Sequence, residues 1–188
     1  METGTNFSLT MNLFSNNETN NIETPTHFLY PASLIVSPTP MLVNTILGSC
    51  VAVCLWDQKI QFGGINHYML PLWNGNGLAS PKYGNIAIER LIEKMRQHGA
   101  THMSAKVFGG GEVIGTDNID FKIGKRNIDI AMEMLKEYNI PITAQNVGGK
   151  FGRKIQFFTQ SGLVKMKIIE KNENIETNER EKNKGTNS

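Results

Sequence analysis

The chain has 188 residues, of which 39% are hydrophobic, enough for one domain with a substantial core. Its 19 Lys and Arg residues almost balance its 17 Asp and Glu residues, and the net charge of +2 argues against nucleic acid as a partner. Two cysteines are too few for a disulfide framework or a cysteine-rich zinc site. With no signal-peptide pattern and no apolar run of about 18 residues, we expect a cytoplasmic protein with free thiols and no membrane insertion.

Polar segments flank the expected domain on both sides. Residues 1–27 are rich in Asn, Thr and Ser, and they predict a disordered extension because they have too little apolar surface to offset the entropy cost of ordering. Residues 170–188 have the same character with mixed charge, and they predict a flexible tail. The folded domain is therefore expected to span residues 30–169.

Short apolar runs and two amphipathic segments predict a mixed α/β domain. Apolar residues at helical spacing favour two helices, over residues 85–100 and 122–139. The last two predicted strands flank a Thr-Gln-Ser-Gly turn and are expected to form a hairpin. Apolar runs predict six strands, at 50–57, 59–70, 103–108, 142–147, 154–158 and 164–169.

The first two predicted strands bring a cysteine near a histidine. If their turn is centred on residues 58 and 59, Cys50 lies directly opposite His67. Opposed side chains have Cβ atoms about 5 Å apart, within reach of a thiol–imidazole hydrogen bond. Imidazole can take the thiol proton and create a nucleophile, and the Gly48-Ser49 turn just before Cys50 offers backbone N–H groups for an oxyanion. The alternative interpretation is structural: Cys50 is a small buried residue at the start of a strand, and His67 is a polar residue whose hydrogen bonds are satisfied.

Other candidate residues are weaker. Cys54 lies about 13 Å along the same strand from Cys50, too far for a disulfide, and its apolar neighbours predict a structural role. His98 and His102 lack Cys or carboxylate partners at ligand spacing, so no metal site is expected. The glycine-rich segments 109–111 and 148–152 are compatible either with phosphate binding or with the close approach of another backbone.

Six segments follow one another in an order typical of one known family. They are TILGSCVAVCLWD (45–57), GGINHYMLP (63–71), YGNIAIERLI (83–92), KVFGGG (106–111), IGKRNID (123–129) and VGGKFGRKIQF (147–157). Together they resemble the CheD-type chemoreceptor glutamine deamidases of bacterial chemotaxis. The resemblance runs from about residue 40 to residue 169 and implies a layered α/β fold with sheet at its centre and helices outside, similar to the deamidase domain of a bacterial cytotoxic necrotizing factor.

The resemblance also implies an activity and a site. The family cysteine and histidine match Cys50 and His67, and a family threonine that orients the histidine matches Thr45, with Asn44 as the neighbouring alternative. The implied reaction converts selected glutamine side chains of the cytoplasmic segment of chemoreceptors to glutamate and ammonia, without a cofactor. A CheC-type phosphatase is the implied second partner.

Two other functions are compatible with the same residues. One is a cysteine hydrolase or transferase with a different acyl substrate, and the other is a non-catalytic adaptor that regulates a CheC-type phosphatase.

If the Cys–His interpretation holds, a protonated imidazole beside the sulfur is expected to lower the pKa of the Cys50 thiol below about 8.5.

Overall fold

Nine strands and two helices form the described part of the chain, residues 24–112 and 118–170, in a computed structural model. Neither helix in these ranges is long and apolar enough to cross a membrane. In chain order the elements are β1 (Thr26–Phe28), β2 (Ser33–Ser37), β3 (Leu42–Leu47), β4 (Val51–Asp57), β5 (Phe62–His67), α1 (Gly84–Gln97), β6 (Met103–Gly109), α2 (Asn118–Glu137), β7 (Ile142–Val147), β8 (Gly152–Phe158) and β9 (Val164–Ile169).

The strands form two sheets, one of four strands in the order β1-β3-β8-β9 and one of five strands in the order β2-β5-β4-β6-β7. The central strand β4 is apolar on both faces because each face packs against a different layer. Val53 and Leu55 pack against residues of α1 and α2, whereas Ala52 and Cys54 pack against residues of the four-stranded sheet. The domain is therefore layered, with helices, the five-stranded sheet and the four-stranded sheet in succession.

The mixed α/β class and the later predicted elements are confirmed. Strands β7 and β9 have the predicted limits, and β8 and β9 form the predicted antiparallel hairpin. Helix α1 begins one residue earlier than expected, and helix α2 begins four residues earlier. The strand predicted at 59–70 is shorter in the structure, where β5 covers only Phe62–His67.

The first three strands were missed. They are short, and Pro31, Pro38 and Pro40 interrupt this part of the chain, so no long periodic pattern develops. The expected boundary of the N-terminal extension is also wrong at its end, because Thr26 and His27 belong to β1 and pair with β3. The rest of the predicted extension, residues 1–23, and residues 171–188 of the predicted tail lie outside the described residues.

The predicted register of β4 and β5 is wrong by two residues. Cys54 lies opposite Ile65, and the next contact along the chain is a bridge between Val51 and Tyr68, so Cys50 is not opposite His67. The turn has four residues, 58–61, because the Asp57 carboxylate accepts N–H groups within it and residue 61 has a φ of 49°. A slip of two residues leaves every side chain on its original face, so the cysteine and the histidine still share one face of the sheet.

The two sheets pack closely against each other at Gly63. It lies in regular pairing with Trp56, and a Cβ there would meet Phe157 Cζ and the Thr159 carbonyl oxygen, each at 2.8 Å. The small residue therefore serves the packing of one sheet on the other.

We predict that Gly63→Ala lowers the free energy of unfolding by about 1–3 kcal/mol, because neither the carbonyl nor the ring can move far. Urea denaturation measures this change. The control is Gln97→Ala on the exposed face of α1, which should stay within about 0.5 kcal/mol of the unmodified protein. Equal stability of the two variants would contradict the packing argument.

Candidate active site

Cys50 follows a tight turn between β3 and β4 that is anchored through its carbonyl groups. The residue is half-buried, and both cysteines are free thiols. Three successive carbonyls of the turn accept hydrogen bonds: that of Gly48 from the Gly111 N–H at 2.8 Å, that of Ser49 from Asn127 Nδ2 at 3.0 Å, and that of Cys50 from the Gly110 N–H at 2.8 Å. The cysteine is therefore held on a fixed backbone.

This anchoring also orients the N–H groups of the turn. A trans peptide carries its C=O and its N–H on opposite sides, and the described part of the chain has no cis peptide bond. With the Gly48 and Ser49 carbonyls bound to the protein, the N–H groups of Ser49 and Cys50 point away from these anchors.

The glycines at 109–111 allow the close approach of another backbone, one of the two alternatives left open by the sequence. Gly109 has a φ of 110°, and a Cβ there would lie 2.1 Å from the Cys50 carbonyl oxygen. Gly111 is pressed against the Phe151 carbonyl, where a Cβ would lie at 2.7 Å. These residues hold the turn that carries Cys50.

His67 ends β5 and lies between the two sheets, with 2% of its surface exposed. Its Nδ1 is 2.8 Å from the Thr45 hydroxyl, which also bonds the Leu29 carbonyl at 2.8 Å. The hydroxyl has one hydrogen and donates it to that carbonyl, so it accepts a hydrogen bond from Nδ1–H. Nε2 then has a free lone pair, and it is buried without a hydrogen-bond partner among the described residues.

The structure separates the two candidates for the residue that contacts the histidine. Thr45 points inward and is fully buried, whereas the Asn44 side chain accepts a hydrogen bond from Gln156 Nε2 at 2.9 Å. Successive residues of a strand face opposite sides, so only one of these two can reach His67. The contact is made by Thr45.

Burial disfavours the charged forms of both the Cys50 thiol and the His67 imidazole. It raises the pKa of the Cys50 thiol above its ordinary value, and the residue's own N–H opposes part of the shift. It lowers the pKa of His67 to about 4, and the Leu29 carbonyl opposes part of that shift. The expectation of a lowered thiol pKa is therefore wrong for the resting protein, because desolvation disfavours the thiolate and the imidazolium alike.

The remaining sequence candidates lie away from this arrangement. Cys54 is buried between the sheets, and burial raises the pKa of its thiol far above the ordinary value. His98 stacks on Phe62, and the His102 ring contacts the Thr101 hydroxyl. In residues 24–112 and 118–170, no three His, Cys, Asp or Glu side chains are grouped so that they could hold a metal ion.

Two asparagines at the site were missed by sequence reasoning. Asn66 Oδ1 accepts the Val53 N–H at 2.8 Å, and Asn127 binds the turn before Cys50. Both are fully buried. Asn127 lies in the family-like segment 123–129, but a single asparagine within a helix has no spacing pattern that predicts its partners.

Comparison with known proteins assigns the family. The model of the family described as "CheD chemotactic sensory transduction" matches residues 69–168. A protein from Trichlorobacter lovleyi is 51% identical over 140 residues, which cover 73% of this chain and 87% of that protein. A protein from Sulfurimonas denitrificans is 47% identical, with 78% and 96% covered. Both are named "Probable chemoreceptor glutamine deamidase CheD". The chain belongs to the CheD family.

The different environments of the two cysteines predict different reactivity. Because burial raises the Cys50 pKa, its alkylation by iodoacetamide should be slow at neutral pH and should rise with a midpoint above about 8.5. Cys54 should react only after denaturation. Mass spectrometry that resolves the two sites across a pH series measures both rates. A Cys50 midpoint below that value, or reaction of native Cys54, would overturn the assigned burial.

Proposed function

We propose that this protein hydrolyses selected glutamine side chains in the cytoplasmic segment of chemoreceptors to glutamate and ammonia, with Cys50 as nucleophile and His67 as base. The observation that carries the proposal is the buried His67 Nε2, left with a free lone pair by the Thr45 contact, on the face that also holds Cys50. The names of the relatives from Trichlorobacter lovleyi and Sulfurimonas denitrificans supply the substrate class.

The register supports the pairing despite the slip. Cys50 and His67 flank the Val51–Tyr68 bridge diagonally. Diagonal neighbours on one face have Cα atoms about 7–8 Å apart, a distance that a long or aromatic side chain can span. A neutral thiol beside a neutral imidazole is the starting state for proton transfer during attack.

In the proposed reaction the proton moves only when the substrate carbonyl is in place. His67 Nε2 takes the thiol proton as the sulfur of Cys50 forms a bond to the carboxamide carbon. The N–H groups of Ser49 and Cys50, in the turn that begins at Gly48, stabilise the oxyanion. The imidazolium then gives its proton to the leaving ammonia, and the low pKa of His67 makes it a strong donor for this step.

The second half of the reaction restores the thiol. His67 removes a proton from water, the hydroxide adds to the thioester, and the thiolate leaves with that proton. The Thr45 hydroxyl accepts the hydrogen bond from Nδ1–H throughout and keeps the ring in one orientation. The steps use side chains, backbone and water, so the proposal includes no metal or cofactor.

Further features of the family belong to the same proposal. The layering of two sheets and two helices supports a likeness to the deamidase domain of the cytotoxic necrotizing factor. A CheC-type phosphatase is the proposed regulatory partner, and the cytoplasm is the proposed compartment because the substrate segment lies there.

Cys50→Ala should abolish deamidation of a purified receptor cytoplasmic segment, and His67→Ala should lower kcat by at least about 10²-fold. Cys54→Ala is the matched control, with unchanged kcat and a loss of about 1 kcal/mol of stability from packing. Peptide mass analysis for conversion of glutamine to glutamate, together with ammonia release, measures the reaction.

The same assay separates the alternatives. Peptide cleavage or amine incorporation without glutamate formation would favour another acyl substrate. Binding of a CheC-type phosphatase without any Cys50-dependent turnover would favour the adaptor. An active Cys50→Ala variant would remove the nucleophile from the mechanism.

Thr45→Val keeps the shape of the side chain but removes the hydroxyl, so His67 loses the partner that selects its tautomer. We expect kcat to fall by at least about tenfold with little change in KM. Thr45→Ser retains the hydroxyl and should recover most of the activity. Equal activity of the valine and serine variants would show that the hydroxyl does not orient the base.

A further inference from the structure

The pairing of β4 and β5 is interrupted on both sides of the Val51–Tyr68 bridge. This bridge has two backbone hydrogen bonds, at 3.1 and 3.0 Å. On one side, Asn66 Oδ1 takes the place of a backbone acceptor and binds the Val53 N–H. On the other side, Asn127 Nδ2 donates to two carbonyls, that of Ser49 at 3.0 Å and that of Met69 at 2.9 Å. The side-chain amides of Asn66 and Asn127 thus replace backbone hydrogen bonds where the two strands separate near Cys50 and His67.

Asn127 is well placed to set the distance between these strands. Ser49 directly precedes Cys50, and Met69 follows His67 by two residues. A carboxamide nitrogen has two hydrogens in fixed directions, and both are used here, one for each carbonyl. Aspartate at this position has no donor when ionised, and an apolar side chain has none.

The residue itself is held on a rigid part of α2. It is fully buried, and the Tyr68 hydroxyl donates to its main-chain carbonyl at 2.6 Å. One turn earlier, Gly124 packs on Gly110, where a Cβ on Gly124 would lie 2.8 Å from the Gly110 carbonyl oxygen. Helix α2 is therefore in direct contact with the backbone on both sides of the site.

The cost of burying this side chain argues for a role beyond packing. Asn127 Oδ1 is buried without a hydrogen-bond partner among the described residues. An unpaired buried polar atom is unfavourable, and an apolar residue of similar size would remove it, but the Ser49 and Met69 carbonyls would then lose their donor. The hydrogen bonds from its two N–H groups to the Ser49 and Met69 carbonyls explain why an asparagine is present here.

We propose that Asn127 is a positioning residue, which sets the geometry between Cys50 and His67 by holding the carbonyls of Ser49 and Met69. The inference rests on the proposed function. Removal of the carboxamide lets the turn and the strand end move independently, so the thiol and the base no longer meet reliably during attack.

The kinetic test compares Asn127→Ala with Thr159→Val, which removes a buried hydroxyl that bonds the main chain of Met41 and does not contact Cys50, His67 or Asn127. Asn127→Ala should lower kcat by at least about tenfold with KM within about twofold, whereas Thr159→Val should keep kcat within about threefold. Thermal unfolding of both variants records the accompanying loss of stability. Equal loss of kcat in the two variants at equal stability would overturn the proposal.

Asn127→Asp provides a readout that a general loss of packing would not move. The introduced carboxyl group regains one donor when it is protonated, and burial raises its pKa. The activity of this variant relative to the unmodified protein should therefore increase as the pH falls from about 8 to about 6. A ratio that is constant or decreases over this range would contradict the donor role, and the variant also tests the proposal if Asn127→Ala does not fold.

A substrate-free measurement separates this proposal from the proposed function. In Asn127→Ala the turn is released and Cys50 becomes more exposed, so the midpoint of its alkylation by iodoacetamide should shift to lower pH, with no such shift in Thr159→Val. An unchanged midpoint in Asn127→Ala would overturn the positioning role even if Cys50→Ala is inactive. A shifted midpoint with an active Cys50→Ala variant would overturn the proposed mechanism alone.

Discussion

The single hydrogen of the Thr45 hydroxyl is the constraint on which the site depends. Because that hydrogen is donated to the Leu29 carbonyl, the oxygen can only accept from His67 Nδ1. The tautomer of the imidazole is thereby selected by the backbone of a neighbouring segment. This contact joins the two sheets, since the threonine lies on β3 and the histidine on β5. The sandwich architecture is therefore a requirement of the site as well as its support.

Burial decides the electrostatics of the proposed mechanism. A thiolate–imidazolium pair would place two charges in a poorly solvated position, and desolvation raises the pKa of Cys50 while it lowers that of His67. The resting pair is neutral, and charge develops only when a substrate carbonyl is close. A half-buried thiol that is neutral at rest is also less susceptible to adventitious alkylation and oxidation.

The backbone around Cys50 is held from several directions by residues distant in sequence. The glycines at 109–111 leave space for the turn to approach β6, and Asn127 on α2 joins that turn to the segment after His67. Each element contributes a backbone or amide contact that a larger or differently charged side chain would disrupt. Precise placement of a nucleophile by such contacts is a general requirement for acyl-transfer chemistry.

The amino-acid sequence by itself determined the elements whose apolar pattern is regular: both helices, the buried strand β4 and the closing hairpin of β8 and β9. It also placed Cys50 and His67 on one face, because a slip of two residues does not change the face of a strand. It did not reveal β3, whose inward positions include the polar Thr45, so the residue that contacts the histidine also weakens the pattern that would predict its strand. The register, the tautomer and the contacts of Asn127 were decided only by the tertiary structure, because each depends on hydrogen bonds between segments far apart in the chain, which local periodicity does not encode.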